Sequence, residues 1–221
     1  MDGQFFEREG VQFEGGPSGI VSTLSLVAQG QGQAAAKLIP STGVVAGDLA
    51  VIFDTASNGS GDPPAASPAG WTTFCDVVAL TTRLCFHAKI LTAADIGSSP
   101  TGLSGTFRSR YVVGVFHPNV PITSFSVNSP QQVMAGGDPA ALVTTAGSAS
   151  RFPVLVLANI YAAAAPTQTI SPAMTDLTTS SANHVAKYTI YNAGGSPANQ
   201  SIDINDTGLF NGMGTAYLLV N

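Results

Sequence analysis

Apolar and polar positions alternate in short runs along most of the chain, and few runs exceed a length that one strand would bury. Period-two stretches rich in Val, Ile, Thr and Phe predict strands at residues 18–27, 34–39, 48–55, 71–80, 82–92, 105–117 and 122–128. Further strands are predicted at 140–145, 152–162, 183–191, 200–204 and 214–220. Gly, Pro, Asn and Ser separate these segments, as in Ser57-Asn58-Gly59-Ser60-Gly61-Asp62-Pro63-Pro64 and Asn192-Ala193-Gly194-Gly195-Ser196-Pro197. The two segments 71–80 and 82–92 read as a hairpin with Thr81 near its tip. Only residues 92–96 offer a helical turn, too short to nucleate a helix alone. The pattern predicts an all-β protein, an antiparallel β-sandwich of jelly-roll-like character with a short N-terminal arm.

The arm is set apart by composition. All three Glu, at positions 7, 9 and 14, precede Gly15-Gly16-Pro17, a turn or linker signal. Residues 1–16 are therefore expected to form a docking arm, in which Phe5, Phe6, Glu7, Arg8, Glu9 and Phe13 supply apolar and charged contacts, and residues 17–221 to form the sandwich body. The start of the chain is acidic where an export signal would be basic and then apolar, so synthesis in a cytoplasm is expected. No run of about 18 apolar residues predicts a membrane-spanning helix.

Charge narrows the partners. Eight Lys and Arg against thirteen Asp and Glu give a net charge of −5, and the cations are scattered. Phosphate neutralisation needs clustered cations, so nucleic acid is an unsuitable ligand. Charged residues make up only 10% of the chain, which leaves Ser, Thr, Gly, Asn and Gln to coat the body. Such a weakly repelling surface suits packing against other subunits.

Candidate chemistry is sparse. Trp71, the single Trp, follows a Pro68-Ala69-Gly70 turn and is expected to anchor the core, with an exposed sugar-stacking platform as the competing role. His87, His117 and His184 lie far apart without metal-site spacing, so no metal site is expected. Cys75 and Cys85 would face each other across the hairpin at a Cα separation of about 4.5–5.5 Å, and cytoplasmic assembly favours two buried thiols over a disulfide. The body carries Asp but no Glu, and nothing in the sequence pairs two carboxylates across a cleft as glycoside hydrolysis requires. No nucleophile elbow, P-loop or dinucleotide fingerprint is present, so neither a catalytic residue nor a cofactor is assigned. Asp203-Ile204-Asn205-Asp206-Thr207-Gly208 is rich in oxygen donors but lacks the closing Glu of an EF-hand loop; it reads as a polar turn rather than a calcium site.

One series of motifs carries a resemblance. Gly47-Asp48-Leu49-Ala50-Val51-Ile52-Phe53 is followed by a Gly/Ser/Pro loop and Pro68-Ala69-Gly70-Trp71-Thr72. Then come Arg83-Leu84-Cys85-Phe86-His87-Ala88-Lys89, Thr92-Ala93-Ala94-Asp95 and Val112-Val113-Gly114-Val115-Phe116. The series resembles a β-sandwich module of tailed-bacteriophage structural proteins, in which a GDLLV strand precedes a PxGWT strand and one ending in YKI. The second half echoes it at Phe152-Pro153-Val154-Leu155-Val156-Leu157-Ala158, at Ile170-Ser171-Pro172-Ala173-Met174-Thr175 and at Gly214-Thr215-Ala216-Tyr217-Leu218-Leu219-Val220.

The resemblance implies a non-enzymatic virion component, a tail-tip or short tail-fibre protein with a host-adhesion role. A capsid decoration protein is the nearest alternative, and a carbohydrate-binding surface module a further one. The implied partners are other copies of the chain, as a trimer for a fibre protein, neighbouring virion proteins and a host-surface glycan. A fold-level likeness does not by itself fix a job.

Overall fold

A computed structural model describes residues 24–33, 38–57, 68–79, 82–100, 110–134, 142–144, 152–161, 168–171, 175–176, 185–192, 200–206 and 210–220. Side chains are described for 24–30, 38–54, 68–74, 85–100 and 111–127. These residues form strands and turns with no helix: β1 (Leu24–Gln33), β2 (Leu49–Ser57), β3 (Thr72–Ala79), β4 (Thr82–Ile90), β5 (Arg110–Pro118), β6 (Phe125–Met134) and β7 (Leu142–Thr144). The remainder are β8 (Phe152–Tyr161), β9 (Gln168–Ser171), β10 (Thr175–Asp176), β11 (Val185–Asn192), β12 (Gln200–Asp206) and β13 (Phe210–Val220).

Every paired strand is antiparallel. One five-stranded sheet has the order β1-β5-β2-β4-β3, a second the order β10-β11-β8-β13-β6, and β7-β12-β9 form a small third sheet. Numbering the strands of each large sheet in chain order, the first runs 1-5-2-4-3. The second, read from β6, also runs 1-5-2-4-3. The small sheet is built from the connections inside this second unit, because β7, β9 and β12 follow its first, second and fourth strands. The corresponding connections of the first unit are also tied together, since the Ile39 N–H donates to the Ser98 carbonyl at 2.9 Å.

The turns explain the motifs. In Val45-Ala46-Gly47-Asp48 the Asp48 N–H returns to the Val45 carbonyl at 3.2 Å. In Pro68-Ala69-Gly70-Trp71 the Trp71 N–H returns to the Pro68 carbonyl at 3.1 Å. Gly47 (φ 96°) and Gly70 (φ 77°) hold the third position of these turns, where a type II turn requires positive φ. Each turn delivers the chain directly into a strand, β2 or β3.

Strand β2 is buried on both faces, with Leu49 to Asp54 all at most 3% exposed. The expected one-sided alternation is therefore absent here, and the reason is local. On one face, Ala50, Ile52, Tyr111, Val113 and Val115 pack under Ile39, Val44 and Leu91, which the connections bring over the sheet. The Leu38 N–H donates to the Tyr111 hydroxyl at 3.2 Å and pins the first of those connections. Elsewhere in the sheet, Phe86 packs edge-to-face with Phe53 (centroids 5.1 Å) and with Phe74 (5.4 Å). Strands β3 and β4 lie beside strands of the second sheet, β3 against β6 and β13, β4 against β13 and β8.

Some sequence expectations are corrected. Leu38 and Ile39 are not strand; Pro40 lacks the N–H a ladder needs, and Ile39 instead buries itself as a plug on the sheet. Residues 92–96 form successive i→i+3 turns rather than a helix, through Asp95 N–H to Thr92 carbonyl and Ser98 N–H to Asp95 carbonyl. Asn205 and Asp206 continue β12 past the strand expected at 200–204, paired with β9 through Asn205↔Thr169 and Asp206↔Gln168, rather than entering a turn. Their partner β9, and β10, were not expected as strands. Four and two residues long, they are too short to display a period.

Candidate functional site

The arm residues Phe5, Phe6, Glu7, Arg8, Glu9 and Phe13 lie outside the described residues, as do His184, Thr207 and Gly208. Trp71 is half-buried and packs against the cluster of Ile39, Ile52 and Val113 together with Ala28 and Ile96. It thus contributes one face to the core while the rest of the indole meets solvent. Cys85 is buried. The β3–β4 register shifts between Phe74↔Phe86 and Val77↔Leu84, which puts Cys75 and Asp76 at a bulge opposite Cys85; the Cys75 side chain lies outside the described residues.

The most concentrated chemistry joins Asp48 and His117, 69 residues apart. Asp48 immediately precedes β2 and His117 is the penultimate residue of β5. Those strands pair from Leu49↔Phe116 onward, so the two side chains meet at the end of the ladder. The Asp48 carboxylate is fully buried. Its Oδ2 accepts the Val45 N–H at 2.9 Å, and its Oδ1 lies 2.7 Å from His117 Nδ1. A carboxylate only accepts, so the His117 Nδ1–H donates this bond. The His117 side chain is 51% exposed. Its ring borders an open cleft of about 320 Å³, walled by the 46–48 turn and by Pro118, Val120, Pro121 and Ile122.

No family model matches this chain, and no curated protein or solved structure is significantly similar to it.

The geometry must therefore speak for itself. A buried carboxylate that orients an exposed imidazole is half of a nucleophilic site, which also needs a hydroxyl or thiol within reach of Nε2. Here Asp48 divides its oxygens between the turn that starts β2 and the end of β5. Its backbone is bound as well, with the Leu91 N–H on its carbonyl at 2.8 Å and the Gly47 N–H on the Leu91 carbonyl at 2.8 Å. The arrangement acts as a three-way lock between the β2 turn, the end of β4 and the end of β5. It leaves one oriented imidazole as a contact point on the surface. Among the described residues, no three His, Cys, Asp or Glu side chains converge on a metal position.

A second lock stands at the 92–98 turn. Asp95 Oδ1 accepts from Lys89 Nζ at 2.7 Å, and Oδ2 accepts from the Thr92 N–H at 2.8 Å and from the Thr92 hydroxyl at 2.7 Å. Burial pushes the Asp95 carboxyl upward, but the hydrogen bonds from Lys89 and Thr92 and the Lys89 charge outweigh it, leaving the group below its ordinary range. His87 is fully buried, and its Nδ1 lies 2.8 Å from the Thr73 hydroxyl on the strand opposite.

Sequence reasoning read each histidine by itself and Asp48 only as a motif letter. The signal for pairing them was present only as position, one residue at the start of a strand and one at the end of another. It becomes a contact once β2 is known to pair with β5.

Proposed function

We propose that the chain is a non-catalytic structural protein of a bacteriophage particle, a tail-tip or short tail-fibre component that works by contact. In this reading the two five-stranded sheets stack as a β-sandwich, residues 1–16 form a docking arm, and neighbouring copies and virion proteins are the partners. The observation that carries it is the use to which the motif residues are put. Gly47, Asp48, Gly70, Lys89, Thr92 and Asp95 all serve turns and locks at the ends of one sheet, while Trp71 covers that sheet's core. Polar side chains that fix strand ends make a rigid scaffold, and many rigid copies on one particle gain avidity from weak individual contacts.

The test is direct. Antibodies to the chain are applied, with gold labels, to particles released from cells that carry its coding sequence, and purified particles are digested for mass spectrometry. Label at the tail tip is the expected result. Label over the head would replace the tail assignment with capsid decoration. Particles free of the chain would refute the virion reading.

A further inference from the structure

The first sheet ends in an edge at β1. This strand pairs with β5 on one side, and among the described residues no strand pairs with its other side. From Ala28↔Val115 to Gln33↔Arg110 its ladder runs without a shift, so more than half of β1 keeps the regular spacing that a further strand can join. The one irregularity is the bulge at Val27, between Leu26 and Ala28. An edge strand presents a row of main-chain N–H and C=O groups, and another strand edge is what complements such a row.

The composition of this edge suits a copy of itself. β1 reads Leu-Ser-Leu-Val-Ala-Gln-Gly-Gln-Gly-Gln, ten residues without the charges and prolines that usually keep an edge from pairing. Residues 38–47 lie against it, with the Pro40 ring and the Leu38 carbonyl beside Gly30, and they too are uncharged. The chain as a whole carries a net charge of −5, so two copies repel one another least where both present these neutral stretches. A charged partner would find no counter-charge there. The exposed large hydrophobic side chains among the described residues, Leu26, Val27, Leu38 and Val45, all belong to the same two stretches. Gln29 is exposed as well, and its amide both donates and accepts, so it can bond to an identical side chain as a Lys or an ionised Asp cannot.

We infer that β1 is the contact surface between two copies of this chain, pairing antiparallel with the β1 of the second copy across a twofold axis. A twofold brings one surface onto itself, and an antiparallel ladder is the strand pairing that such an axis generates. The first sheets of the two copies then run on as one, five strands from each, in the order β3-β4-β2-β5-β1 followed by the same strands in reverse. The regular stretch from Ala28 to Gln33 carries the main-chain bonds, and Leu26 and Val27 of both copies are drawn toward the junction. The contact goes beyond the particle assignment above, which stands or falls by the labelling of particles and not by this pairing.

The experiment uses the full chain. Light scattering at about 50 µM, where a contact of micromolar Kd is mostly formed, should give the mass of two chains. Val27→Lys and Gln29→Lys, both at exposed positions, place like charges near one another across the junction; each should return the mass to that of one chain with an unchanged circular dichroism spectrum. A second measurement leaves the edge uncharged. The Gln29→Cys chain is treated with a short bismaleimide, with the parent chain as control for Cys75 and Cys85, and a peptide cross-linked between position 29 of one copy and position 29 of the other is expected. A monomeric parent chain, a dimer that persists in both lysine variants, or a dimer that gives no 29-to-29 cross-link would each overturn the pairing of β1 with itself.

Discussion

Replacing Asp48 by alanine should be among the most damaging polar substitutions in the first sheet, and its cost can be worked out bond by bond. The carboxylate is fully buried, so neither oxygen has solvent to fall back on. Oδ2 takes the Val45 N–H at 2.9 Å, a charge-assisted bond worth about 1.5–3 kcal/mol. Oδ1 takes His117 Nδ1 at 2.7 Å, but that ring is half exposed and can turn to water, so the second bond adds only about 0–1 kcal/mol. The sum is about 1.5–4 kcal/mol. In a chain of this size that lowers the midpoint of thermal unfolding by roughly 10 °C. His117→Ala should cost about 1 kcal/mol, because Asp48 keeps its turn and gains water where the ring stood. Asp48→Asn should fall between the two, since its amide oxygen can still accept from Val45. Urea unfolding followed by the fluorescence of Trp71, the single Trp, reads the sheet directly. The midpoint should move at constant slope. A loss below about 0.5 kcal/mol for Asp48→Ala, or His117→Ala costing as much as Asp48→Ala, would refute the lock.

Gly47→Ala should lose about 1–2 kcal/mol from backbone strain alone, because φ is 96° and nothing lies within 4 Å of an added Cβ; an unchanged midpoint in the same assay would contradict the type II turn. Phe53→Ala removes a fully buried ring and its edge-to-face contact with Phe86 and should cost about 3–5 kcal/mol. Trp71→Ala, at a half-buried site, should cost about 2 kcal/mol; the two followed by circular dichroism should keep that order. Asp95 has a folded-state pKa below its unfolded value, so it stabilises the fold above about pH 4, and this contribution disappears as pH falls through the lowered value. The stability gap between the parent chain and Asp95→Asn should hold from neutrality to about pH 4.5 and then shrink. A gap that widens in acid would reverse the assigned sign.

What the sequence determined by itself was local. Short apolar and β-branched runs bounded by turn residues located β2, β3, β4 and β8 to within a residue or two at most of their ends, because both signals are carried by consecutive residues. Gly-containing turns before β2 and β3 were legible for the same reason, since positive φ is a property of one residue. Tertiary structure decided which strand lies beside which, and the long-range site contacts follow from that choice. The pairing of β2 with β5 brings Asp48 to His117 across 69 residues, and the connection that carries Ile39 over the sheet turns β2 from half-buried to buried on both faces. The same holds for the order 1-5-2-4-3 and for the edge that it leaves at β1. Alternation tells a strand which face to bury but not which neighbour to choose. That choice is made by the summed fit of distant side chains and closed turns, which no window of consecutive residues contains.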